Sequence, residues 1–117
     1  MHNLGEKEKL LQSHIKKTLL ACRDAIRANF PTAGLVLYGS YARGQAGSES
    51  DVDLLVLLDE DVTPANKRTI HDTLYEIGLA ADLVISTIIR SYDAWNSPIS
   101  QATPFYRVVH QEGIQVA

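Results

Sequence analysis

The sequence predicts an α+β fold, an αβ two-layer arrangement in which helices flank a small mixed β-sheet. Helical apolar spacing and short apolar runs follow one another as helix, strand, strand, helix, strand, helix. The second and third strands are joined by a helix long enough for a right-handed crossover, which makes them parallel. The first and second are joined by a shorter excursion and are open to antiparallel pairing. At 117 residues the chain has the length of a single domain, 1–117, and should bury roughly two thirds of its unfolded surface.

Taken in order, Leu11, Ile15, Leu19, Cys22 and Ile26 recur at three- and four-residue steps, predicting an amphipathic helix over residues 5–29. Phe30-Pro31 ends it, because the residue before a proline avoids the α region. Residues 33–38 read as a buried strand, punctuated by Gly39-Ser40, with 41–44 as a short helical turn and 45–50 as a polar loop. Residues 51–58 are apolar apart from two aspartates, the pattern of a strand covered on both faces. Thr63-Pro64 is an N-cap followed by a first-turn proline, opening a helix whose core face carries Ile70, Leu74 and Ile77. Residues 82–89 read as the third strand and 91–96 as a capped turn that Pro98 interrupts. Thr103-Pro104 repeats the cap-plus-proline signal for a helix over 104–111, with Gly113 as its left-handed C-cap and 114–116 as an extended tail.

Composition removes several function classes. Hydrophobic residues are 45% and charged residues 21%, which excludes a disordered or collagen-like chain. Eleven basic against 14 acidic residues give a net charge of -3, so no direct nucleic-acid binding is expected. The single cysteine excludes a disulfide framework and a cysteine-rich zinc site. The first residues lack an apolar signal core, and no apolar run approaches the roughly 20 residues that cross a bilayer. A reducing, cytoplasmic location without membrane association is the expectation.

One stretch carries chemistry: Gly39-Ser40-Tyr41-Ala42-Arg43-Gly44, a loop, then Ser50-Asp51-Val52-Asp53-Leu54. Residues two apart on a strand share a face, so Asp51 and Asp53 project together with Cα atoms ~6.5 Å apart. Two carboxylates that close repel by about 2–3 kcal/mol at an effective dielectric near 20. A hydrated Mg²⁺, which favours carboxylates together with substrate phosphates, relieves that repulsion. Asp82 sits at the start of the third strand, and the parallel arrangement brings this acid to the same rim, giving three carboxylates for a two-metal phosphoryl-transfer site. An antiparallel first strand would end beside them, where Gly39 allows close backbone approach and Ser40 and its neighbours can donate to phosphate oxygens. Arg43 has two competing partners: a substrate phosphate, or Glu49 or another acid. A triphosphate cradle beside a cluster of acids implies nucleotidyl transfer, in which an acceptor hydroxyl attacks the α-phosphorus and pyrophosphate leaves.

The spaced pair Gly39-Ser40, ten residues, Asp51-Val52-Asp53 resembles the signature of the polymerase-β-type nucleotidyltransferase superfamily. The fuller string GSYARG…SDVDLLV is similar to its minimal nucleotidyltransferase (MNT) branch. Those proteins are short and single-domain, and many are encoded beside a HEPN-domain protein and act as the antitoxin of the pair. The likeness covers residues 33–89, and the tail from Pro104 to Ile114 also looks like the end of such proteins. The resemblance implies a nucleotidyltransferase fold, Mg²⁺ in a two-metal site, and a nucleoside triphosphate, most often ATP. By motif position Gly39 and Ser40 contact phosphate, with Arg43 beside them. Asp51 and Asp53 are the catalytic metal ligands, and Asp82 matches the third acid by placement alone. The implied reaction is AMP transfer onto a tyrosine of a HEPN toxin. The competing readings are a non-catalytic antitoxin that blocks its partner by binding, and transfer to a small hydroxylated molecule.

Other features read as structure. Ser50 shapes the turn before Asp51, and Asp59, Glu60 and Asp61 form a solvated loop. His2, His14, His71 and His110 lack metal-ligand spacing, and Cys22 lies on the core stripe. Tyr92, Trp95 and Ile99 gather apolar surface, read as core in preference to an interface.

Overall fold

The computed structural model describes residues 1–7 and 11–117. Its strands are β1 (His2–Asn3), β2 (Gly34–Tyr38), β3 (Val52–Leu58), β4 (Ile85–Ser91) and β5 (Ile114–Gln115). Its helices are α1 (Ser13–Asn29), α2 (Pro64–Ala81), α3 (Tyr92–Trp95), α4 (Pro98–Gln101) and α5 (Pro104–Glu112). The five strands form one mixed sheet in the order β1-β5-β2-β3-β4. The α+β class is as the sequence predicts: β3 and β4 run parallel across the α2 crossover, and β2 and β3 run antiparallel.

Strand β3 is an interior strand between β2 and β4, and all but one of its residues are buried. Val52, Leu54, Val56 and Leu58 face α1 and α2, where Ile15, Leu19, Cys22, Ile70 and Leu74 complete the main core. Leu55 and Leu57 point the other way, onto Val36, Trp95 and Val109 with Tyr38, Phe105 and Tyr106 around them. The two main layers therefore carry a thinner cover of short helices on the second face. Each fully buried leucine contributes about 1.5–3 kcal/mol of burial, which makes β3 a rigid base for the aspartates at its start.

Local signals act as their chemistry dictates. Thr63 Oγ1 accepts from the Asn66 N–H at 3.1 Å and Thr103 Oγ1 from the Tyr106 N–H at 3.2 Å, with prolines in the first turns that follow. Ser91 and Ser97 cap α3 and α4 in the same way.

Four expectations change. Helix α1 begins at Ser13, not at residue 5, because His2 and Asn3 pair with β5 instead; residues 8–10 of the predicted helix lie outside the described residues. Gly113 is not left-handed, with φ -63 and ψ 146. Its role is close approach: a Cβ there would collide with the Val109 carbonyl and lie 2.9 Å from Val36 Cγ1. Asp82 is the left-handed residue, at φ 57, so the third strand starts at Ile85. Of the apolar trio, Trp95 is core and Tyr92 is half-buried, but Ile99 is 84% exposed.

Cys22 is buried on the α1 stripe, and burial pushes its thiol up to about 12. The native protein should therefore leave a thiol-disulfide reagent unreacted at neutral pH, with one thiol appearing only on denaturation. A rapid native reaction would contradict this packing.

Candidate active site

The antiparallel register places Tyr38 opposite Asp53, so the chain leaving β2 turns directly over the start of β3. Gly39 makes that turn at φ +79, and a Cβ on it would collide with Asp53 Oδ2. Backbone and carboxylate thus touch, as the spacing of the two motifs implies. The next residues wind into a turn in which the Gly39 carbonyl accepts from the Arg43 N–H at 3.2 Å and the Ser40 carbonyl from the Gln45 N–H at 2.9 Å. The N–H groups of Ser40, Tyr41 and Ala42 have no acceptor among the described residues. Three consecutive free donors at the start of a helical turn are an arrangement that can receive an anion.

Asp51 is exposed and Asp53 half-buried at the start of β3. The Asp53 carboxyl is raised above its ordinary value, first by burial and then by the charge of Asp51, with Arg43 pulling it back down. The Tyr38 phenol is raised by burial and by Asp53, with Arg90 opposing. Negative charge is concentrated here, and Arg43 is the cation facing it. Arg43 Nη1 donates to Glu112 Oε1 at 3.0 Å and Nε to Gln45 Oε1 at 3.1 Å. Its protein partner is therefore Glu112 on α5, not Glu49. Ser50 Oγ accepts from the Gly47 N–H at 2.9 Å, the turn-shaping role expected of it.

Asp82 lies before β4, not in it. It ends α2 as the left-handed residue of a Schellman turn, in which the Leu83 N–H donates to the Gly78 carbonyl at 2.8 Å. Residues 82–84 serve this cap and the link to β4. Asp82 lines a separate hollow with Tyr75, Leu79 and Val84. Among the described residues no three His, Cys, Asp or Glu side chains converge as a metal-holding group. The side chains of Asp51, Asp53 and Asp82 are thus not gathered into one group as they stand, although the Val52 N–H donates to the Val84 carbonyl at 2.8 Å and holds the segment after Asp82 beside the start of β3. The register puts Ser86 opposite Asp53, the place a third acid would need. With the pair alone holding the cation, Asp82→Asn should leave activity within about two-fold of wild type. A loss comparable to that of Asp53→Asn would restore Asp82 to the site.

Beside the turn, a hollow of about 490 Å³ opens between the start of α1 (Gln12, His14) and the loop carrying Tyr41, Gly44 and Gly47. That volume lies in the range of small-molecule sites.

The chain has known relatives. The sequence pattern of the nucleotidyltransferase domain matches residues 19–110. The chain belongs to the nucleotidyltransferase domain family. This nucleotidyltransferase is 32% identical over 83 residues to the protein adenylyltransferase MntA of Thermococcus cleftensis, covering 70% of this chain and 84% of that one. It is 44% identical over 55 residues to a "Putative protein adenylyltransferase" of Methanocaldococcus jannaschii, a match covering 47% of this chain and 56% of that relative's length. In three dimensions it is similar to a chain of a structure described as "Crystal structure of the toxin-antitoxin with AMP-PNP". The TM-score is 0.57 at 20% identity, covering 89% of this chain and 72% of the other, a likeness of fold. Among the described residues no helix of this nucleotidyltransferase is long and apolar enough to cross a membrane.

Proposed function

We propose that this nucleotidyltransferase moves AMP from ATP to a tyrosine hydroxyl of a HEPN-domain toxin and so acts as the toxin's antitoxin. The observation that carries the reading is the contact between the Gly39 turn and the Asp53 carboxylate, which sets a phosphate cradle against an acidic pair. The names of the relatives support AMP as the group transferred, and the toxin–antitoxin neighbour with its ATP analogue supports a toxin as partner and ATP as the nucleotide.

The donor set fits one Mg²⁺. Asp51 just before β3 and Asp53 within it stand two residues apart, the charge of Asp51 raises the Asp53 carboxyl, and a cation of this kind takes one or two carboxylates plus substrate phosphates. Bound there, Mg²⁺ would neutralise charge on the triphosphate and on the departing pyrophosphate. The free N–H groups of Ser40, Tyr41 and Ala42 hold phosphate oxygens, and Gly39 lets the backbone come close enough to do so. The guanidinium of Arg43 supplies the positive charge at the open side. The hollow beside Tyr41 and His14 receives the nucleoside. The tyrosine oxygen bonds to the α-phosphorus as the bond to the bridging oxygen breaks. Pyrophosphate departs with that oxygen and its electron pair, and the phenolic proton passes to solvent.

Mass spectrometry of the partner after co-expression tests the reading. AMP should sit on a partner tyrosine with the wild-type chain and be absent with Asp51→Asn. A partner that is unmodified yet still neutralised by Asp51→Asn would replace transfer with blockade by binding.

A further inference from the structure

We infer that Glu112 is a positioning residue: it fixes the Arg43 guanidinium beside the Asp51–Asp53 pair so that the guanidinium's unused edge meets the nucleotide's phosphates. The inference rests on the nucleotidyl-transfer reading above and adds to it a residue on a distant element.

Arg43 is gripped on two sides, Nε by Gln45 and Nη1 by Glu112. A guanidinium has five N–H donors in a rigid plane, so the grip fixes its orientation and leaves an edge for an anion. The Arg43 N–H donates to the Gly39 carbonyl at 3.2 Å and Gly39 lies against the Asp53 carboxylate, so the grip sits one turn from the acidic pair. The ion pair joins residues 69 apart in sequence. Its side chains are 43% and 23% exposed, a setting in which ion pairs contribute only ~0–1 kcal/mol, so stability alone gives it little purpose.

Glu112 stands on a firm mount. It is the last residue of α5, and Gly113 behind it is wedged against the Val109 carbonyl and Val36 Cγ1. The Gly113 N–H donates to Val109 O at 2.8 Å, the Gly113 carbonyl accepts from the His2 N–H at 2.8 Å, and Ile114 pairs with Leu37 on β2. The sheet that carries Gly39 thus also fixes Glu112, and Glu112 fixes the free end of the turn through Arg43. Glu112 spends its carboxylate on Arg43 and acts through it.

The test is calorimetric titration of the full chain with AMP-PNP and Mg²⁺, which reads binding apart from turnover. Glu112→Ala should weaken binding about 10-fold, the effect of losing one charge-assisted hydrogen bond. Glu112→Gln keeps an acceptor and should restore most of that loss. Arg43→Ala should weaken binding at least as much, and adding Glu112→Ala or Glu112→Gln to it should change nothing further. Unaltered binding by Glu112→Ala, or a further loss in the Arg43→Ala background, would overturn the assignment. The Gln variant carries the comparison if the Ala variant does not fold. A wild-type chain that takes up no nucleotide would defeat the site reading itself, and this inference with it.

Discussion

Asp53→Asn is expected to lower AMP transfer by at least about 10³-fold, because several kcal/mol of transition-state charge stabilisation depend on its carboxylate. The same variant should be more stable than wild type in chelating buffer. Burial first, and then the charge of Asp51, hold the Asp53 carboxyl above the ordinary aspartate value of 3.8. A carboxyl raised in the fold binds its proton more tightly there than in the unfolded chain. Its contribution to stability is fully present below 3.8 and is lost as pH rises through the folded value. The stability difference between Asp53→Asn and wild type should therefore be small near about pH 3 and grow toward about pH 6. Urea unfolding across that range checks it. A variant that loses activity because it unfolds, or a difference that shrinks with rising pH, would count against the strained pair.

Gly39→Ala should be the most damaging single-methyl change in the site. An L-residue at φ +79 costs about 1–2 kcal/mol, and the added Cβ collides with the Asp53 carboxylate. We expect a loss of about 1–3 kcal/mol in urea unfolding and about 10²-fold in transfer, since small displacements at a reacting centre cost that much. Near-wild-type transfer by Gly39→Ala would mean that the turn does not set the geometry.

What the sequence could reveal was decided by how local each feature is. Thr63-Pro64 and Thr103-Pro104 are complete helix starts in adjacent letters, and both helices begin there. The unbroken apolar run of β3 announces a strand covered on both faces, and the second face is indeed covered. The Gly39 turn and the Asp51–Asp53 pair were legible because spacing and strand periodicity suffice. Features set by packing were not. The left-handed cap falls on Asp82, where glycine is the usual signal, while Gly113 is needed for close packing against Val36. That exchange moved the strand start to Ile85 and left Asp82 in the cap of α2. The two-residue pairing of β1 with β5 joins the chain's ends, so helical periodicity near residue 5 could not foresee it. The Arg43–Glu112 pair likewise exists only once α5 is docked.

The central claim is that the acidic pair under the Gly39 turn directs attack on the α-phosphorus of ATP, with a protein tyrosine as acceptor. Parallel incubations of the chain and its HEPN partner with Mg²⁺ and ATP labelled at either the α- or the γ-phosphate test it most directly. The account predicts covalent label on the partner from α-labelled ATP alone, with the γ-label recovered as pyrophosphate. Label from the γ-position on the partner, or none from either while the two proteins are bound, would contradict it.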